Sequence, residues 1–224
     1  MMPLQKQLLS LADEKNRLFV QKLIPTLAPK TILGTKIPVL RAFAKKVSSE
    51  ESQVFLATLP HYYLEENVLH GFLIEQLKDF EQVMKLTEAY LPYIDNRMTC
   101  DSFHPKICKK YPDLTYKKIK IWLKNSHPYT VRYAIGLLLA DYLDKEFKPE
   151  MLDLVASVQS EEYYVQMMQA RYFATALAKQ YESALPLIKS QILPTFVQNK
   201  TIQKARESRR ITPEIKIDLL HYKL

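Results

Sequence analysis

The sequence predicts an all-α protein, a stack of antiparallel helix pairs forming one α-solenoid domain over residues 1–224. Three observations predict it. Apolar residues recur with helical period almost throughout, and no segment alternates apolar and polar residues as a half-buried strand does. The only glycines are Gly34, Gly71 and Gly136, too few for β-hairpin turns or glycine-rich phosphate loops, so Rossmann and P-loop architectures are all but excluded. Finally, Arg97, Arg132, Arg171 and Arg206 follow one another at steps of 35, 39 and 35 residues, a repeated register close to that of stacked helix pairs.

Each element follows from its pattern and punctuation. Helices are expected over 3–13 and 15–27, the first opened by Pro3 and the second closed near Pro25. Residues 37–47 begin around Pro38, and 50–58 follow the capping residue Ser49. The helix over 61–78 carries Leu64, Val68, Phe72 and Leu77 on one face, with Leu69 and Leu73 beside them. Helices over 80–93, 96–111, 114–124 and 128–143 come next, the last three started by Asn96, Asp113 and Ser126. The chain closes with 148–158, 162–180, 182–191, 195–209 and 213–222, the final one capped by Thr212 with Pro213 in its first turn. No linker or low-complexity segment divides the series.

Net charge is +8, and it is uneven. Residues 106–124 carry +6 and residues 199–210 carry +4, leaving the remainder near −2. Such clustering is the electrostatic footprint of a phosphate-backbone binder, set against a plain solvated lysine face. Cys100 and Cys108 lack CxxC spacing and form no disulfide framework, so free thiols and a cytoplasmic location are expected. Met1 to Glu14 does not read as a signal peptide, and the apolar run 134–140 is too short to span a bilayer, so no membrane partner is expected.

The stretch 93–104, Tyr-Ile-Asp-Asn-Arg-Met-Thr-Cys-Asp-Ser-Phe-His, is the most informative. Arg97 and Asp101 fall four residues apart on one helical face and can touch, so the guanidinium could aim the carboxylate or neutralise it. His104 and Cys108 continue that face, but they complete neither a metal site nor a Cys nucleophile with base and orienter; no metal is expected. Tyr62/Tyr63 and Tyr163/Tyr164 start long helices as packing anchors or groove-rim stackers. His61, His70, His127 and His221 are scattered and read as packing or surface residues. Lys200, Lys204, Arg206 and Arg209 recur along the penultimate helix and are the best run for phosphate contacts, which give salt-dependent, sequence-blind affinity.

Several motifs together resemble the DNA alkylation repair family of HEAT-like-repeat glycosylases. They are Gly34-Thr-Lys-Ile-Pro-Val-Leu-Arg41, Glu65-Glu-Asn-Val-Leu-His-Gly71, Ile94-Asp-Asn-Arg-Met-Thr-Cys-Asp-Ser-Phe103, Val131-Arg-Tyr-Ala134, Tyr163-Tyr-Val-Gln-Met-Met168 and Asn199-Lys-Thr-Ile-Gln-Lys-Ala-Arg-Glu-Ser208. The likeness runs in order from about residue 30 to the C-terminus and is nearest to a Gram-positive-type branch. It implies about six HEAT-like helix pairs with a concave basic face that holds duplex DNA. Active members release cationic N3- or N7-alkylated purines without a cofactor. The family's carboxylate falls on Asp101, where it would stabilise oxocarbenium character on the sugar, and a groove arginine falls on Arg132.

The two groove positions where the family has tryptophan are Arg97 and Arg171 here. An aromatic face attracts a cation, whereas an arginine repels one by roughly 4 kcal/mol for unit charges about 4 Å apart at an effective dielectric near 20. Even half of that removes about tenfold or more in rate. Arg97, paired with Asp101, also lowers the field that carboxylate offers. The resemblance therefore implies a scaffold with weak, salt-dependent DNA binding through Arg97, Arg132, Arg171, Lys200, Lys204, Arg206 and Arg209, with glycosylase activity lost or reduced. Two alternatives stay open: an active N-glycosylase using Asp101, and a protein-binding solenoid for an acidic partner. A monomer is expected.

Overall fold

The structure, a computed structural model, describes residues 3–224. Among them the chain forms α-helices and short 3-10 turns and no strand. The chain divides into two compact units, Met1–Lys110 and Tyr111–Leu224. The first contains α1 (Pro3–Leu9), α2 (Glu14–Leu23), α3 (Ile37–Ala44), α4 (Ser49–Leu56), α5 (Leu64–Ile74), α6 (Phe80–Tyr90) and α7 (Arg97–Ser102). The second contains α8 (Pro112–Trp122), α9 (Pro128–Asp141), α10 (Glu150–Ala156), α11 (Tyr163–Lys179), α12 (Tyr181–Lys189), α13 (Thr195–Glu207) and α14 (Pro213–Asp218). No helix among the described residues is long and apolar enough to cross a membrane.

Each unit is organised around one central helix. In the first, α3, α4, α6 and α7 all pack on α5, whose eleven residues are all buried. That helix encloses Glu65, Glu66, Asn67 and His70 along with its apolar residues, so its polar groups need partners inside the protein. In the second, α11 packs against both α9 and α13, with α10 and α12 beside it. The direct contacts α3–α5–α7 and α9–α11–α13 link alternate helices within their own units.

The helix termini show which sequence signals governed. Asn96 accepts the Thr99 N–H at 2.9 Å and Thr212 accepts that of Ile215, as expected of caps. Ser48 rather than Ser49 caps α4, because Glu51 completes a capping box with it. His127 and Tyr111, not Ser126 and Asp113, precede the prolines that open α9 and α8.

Most of the expected helices are shorter than their ranges, and three of the shortfalls bear on the argument. The helix over 15–27 ends at Leu23, since Pro25 disfavours helical backbone at Ile24. The helix over 195–209 ends at Glu207, leaving Arg209 beyond it. The largest correction is at 96–111: α7 stops at Ser102, Phe103 is extended, and the chain resumes only as a 3-10 turn at Lys106–Lys110. Pro105 explains the stop. His104 and Cys108 therefore do not extend the Arg97/Asp101 face.

Candidate functional site

Asp101 is exposed on α7, a helix of only six residues held at both ends. At its start, Asn96 is buried, accepts from the Thr99 N–H, and donates from Nδ2 to Thr99 Oγ1 at 3.0 Å. At its end, Arg41 Nη2 donates to the Ser102 carbonyl at 2.9 Å, supplying the cation that a helix C-terminus favours. The Arg41 guanidinium sits 3.9 Å from the centre of the Phe72 ring, and its Nη1 donates to Glu75 Oε2 at 2.7 Å. Glu75 Oε1 in turn accepts the His104 N–H at 2.7 Å. One arginine–carboxylate pair thus fastens the chain on both sides of Phe103.

Phe103 fills the space beneath. It is buried, meets Tyr90 edge-on with ring centres 5.5 Å apart, and lies where a Cβ on Gly71 would come within 3.1 Å of its ring. Gly71 is therefore small because α7's exit crosses α5 there. Glu65 performs a similar task at Gly34. Its carboxylate accepts the Leu33 and Gly34 N–H groups at 2.9 and 2.7 Å. Gly34 has φ +83°, and a Cβ there would fall 2.3 Å from the Asp13 carbonyl oxygen, so only glycine fits. Burial raises the Glu65 pKa, and the two backbone donors draw it partly back.

Arg97 is exposed on the first turn of α7 and makes no hydrogen bond or ion pair among the described residues, so the i,i+4 pair with Asp101 is not formed. His61 and His70, expected to be scattered, instead meet at 2.9 Å through Nε2 and Nδ1. Phe55 stacks on His61 and Tyr90 on His70, at ring-centre distances of 4.4 and 4.6 Å. Burial pushes His61 down to about 4 and His70 to about 3, so both rings are neutral at physiological pH.

In the second unit the expected basic residues separate into two kinds. Arg132 is 3% exposed, and its Nη1 donates to the Tyr164 carbonyl at 2.6 Å, pinning the first turn of α11. Arg171 on α11 is exposed and, with Lys204 of α13, lines a surface cavity of about 340 Å³ between these two helices. Thr175, Ser208, Arg210 and Glu207 share that cavity; Arg210 belongs to the basic run 199–210 but was not among the expected phosphate contacts. Lys200 donates to Gln203 Oε1 at 2.8 Å, while Arg206 and Arg209 are exposed. Trp122, the chain's only tryptophan, is 4% exposed, with its ring centre 5.7 Å from that of Tyr133.

The sequence reading missed Arg41 and Glu75. Arg41 closes the Gly34–Arg41 motif, a signal that was available; nothing in the sequence singles out Glu75. Among the described residues no group of three or more His, Cys, Asp or Glu is arranged to hold a metal ion.

A family model described as DNA alkylation repair enzyme matches residues 4–167. Arg97, Asp101 and Arg132 lie inside the matched region; Arg171, Lys200, Lys204, Arg206 and Arg209 lie beyond it. No curated protein and no solved structure matches the chain.

Proposed function

Because the chain belongs to the DNA alkylation repair enzyme family, we propose that it is a HEAT-like-repeat scaffold with weak, sequence-blind affinity for duplex DNA and with alkylpurine excision lost or strongly reduced. One observation carries this reading. Trp122 is committed to the core, so no tryptophan is left to wall a cleft against a cationic base. The positions where the resemblance expects tryptophan hold the exposed cations Arg97 and Arg171, which repel such a base. The direct packing of α3–α5–α7 and of α9–α11–α13 supports the repeat reading, since inner helices of stacked pairs follow one another in this way.

Phosphate contacts are assigned to Arg97, Arg171, Lys200, Lys204, Arg206 and Arg209. Arg132, at 3% exposure, is not among them; it fixes the start of α11, the helix that carries Arg171. Affinity should then fall steeply with salt, because each neutralised phosphate releases counterions.

A second reading is favoured by the unpaired state of Arg97. If that side chain turns to a phosphate, Arg97 does not quench Asp101, and the chain is an active N-glycosylase for cationic alkylpurines. Incubation with methylated duplex DNA decides between them. The first reading expects no 7-methylguanine or 3-methyladenine beyond spontaneous release, with binding to undamaged duplex that weakens as salt rises. Release abolished by Asp101→Asn selects the second, and salt-insensitive binding contradicts the phosphate contacts.

A further inference from the structure

Helix α8 buries Thr115, Tyr116, Ile119 and Trp122 along one face. At 100° per residue, Leu114 and Ile121 fall on the solvent side, away from that buried face. They are 41% and 62% exposed and lie seven residues apart on one line. Exposed Lys117 and Lys124 lie along one side of that line, and neither makes a hydrogen bond or ion pair among the described residues. Four lysines stand on residues 112–124 against Asp113 alone.

A lone exposed aliphatic residue needs no explanation, but two in register alongside two lysines that make no ion pair form a ridge that is apolar and cationic together. Duplex DNA would use only half of it: phosphates pair with lysines and leave the aliphatic carbons uncovered. A protein segment bearing carboxylates and apolar side chains uses both halves, with apolar anchors supplying affinity and charges supplying orientation. We propose that the outward face of α8 docks an acidic amphipathic protein segment, its carboxylates on Lys117 and Lys124 and its apolar side chains over Leu114 and Ile121. This inference is independent of the DNA reading, whose residues lie on other helices.

The test is fluorescence anisotropy of the full chain with a labelled peptide alternating Glu with Leu and Phe. An oligo-Glu peptide, phosphatidylglycerol vesicles and a short duplex serve as comparators. The amphipathic peptide should bind tighter than oligo-Glu, and Leu114→Ser/Ile121→Ser should weaken it by about tenfold with unchanged circular dichroism. Lys117→Gln/Lys124→Gln should weaken it comparably and flatten its salt dependence, while Lys204→Gln/Arg206→Gln should leave it unaltered. Equal binding of oligo-Glu overturns the proposal, since simple ion exchange would then suffice. So does indifference to the Leu114/Ile121 change, or binding confined to vesicles or duplex.

Discussion

The two units solve the same problem with opposite chemistry. Around α5, buried and half-buried side chains mainly accept: Glu65 takes the N–H groups of Leu33 and Gly34, Glu66 those of Tyr62 and Tyr63, and Glu75 that of His104. Around α11, buried side chains mainly donate: Gln169 Nε2 bonds the Val155 and Val158 carbonyls, and Gln198 Nε2 those of Ile188 and Tyr222. Arg132 adds a charged donor to the Tyr164 carbonyl. Carboxylates thus hold loop amides in the first unit, and side-chain amides hold the ends of preceding helices and the C-terminal turn in the second. The lesson is that the first unit is exposed to proton titration, while the neutral glutamines of the second are not.

The largest expected effect is from Glu65→Ala, which leaves two buried N–H groups without acceptors and opens a cavity in α5. Denaturant unfolding should show a loss of about 3 kcal/mol. Acidification comes next. His61 and His70 are neutral when folded and titrate near 6.5 when unfolded, so their contribution is complete above about pH 6.5. It declines as pH falls from 6.5 toward 4, because the unfolded rings take up protons that the buried pair does not. Native-state hydrogen exchange, corrected for intrinsic rates, should show the loss in the amides of α5 and not in those of α11. Equal loss in both units would break the comparison.

Gln169→Ala should cost about 2 kcal/mol at every pH from 4 to 8, because no titrating group is removed. A pH-dependent cost there would contradict the division into titrating and neutral devices. Arg41→Ala is the smallest change, about 1 kcal/mol, since its ion pair with Glu75 is partly exposed. Its informative readout is faster amide exchange at His104, the residue whose N–H Glu75 holds.

Much of the helical plan was legible because short-range chemistry wrote it. Asn96 and Thr212 cap where their side chains predict, and prolines open α3, α8, α9 and α14. The failures came from reading period past a local veto: apolar spacing carries through 96–111, but Pro105 does not permit helix at His104. The inward-facing carboxylates were not legible at all. Nothing local marks Glu65 or Glu66 as inward-facing, and only the fold reveals that Leu33 and Gly34 come to meet Glu65. The His61–His70 contact, nine residues apart across a helix start, has no local signature either. Around Asp101 the motif was legible, whereas its fastening by Arg41 and Glu75 depends on distant segments meeting.

The central proposal is that Asp101 is held in a firm frame but in surroundings unsuited to a cationic base. It is tested most directly by excision of 7-methylguanine from methylated duplex by the native chain, by Arg97→Trp/Arg171→Trp, and by that double variant carrying Asp101→Asn. The account predicts no excision by the native chain, a gain of about tenfold or more over that background in the double variant, and loss of the gain on adding Asp101→Asn. Robust excision by the native chain, unchanged or lowered by the two tryptophans, would contradict it.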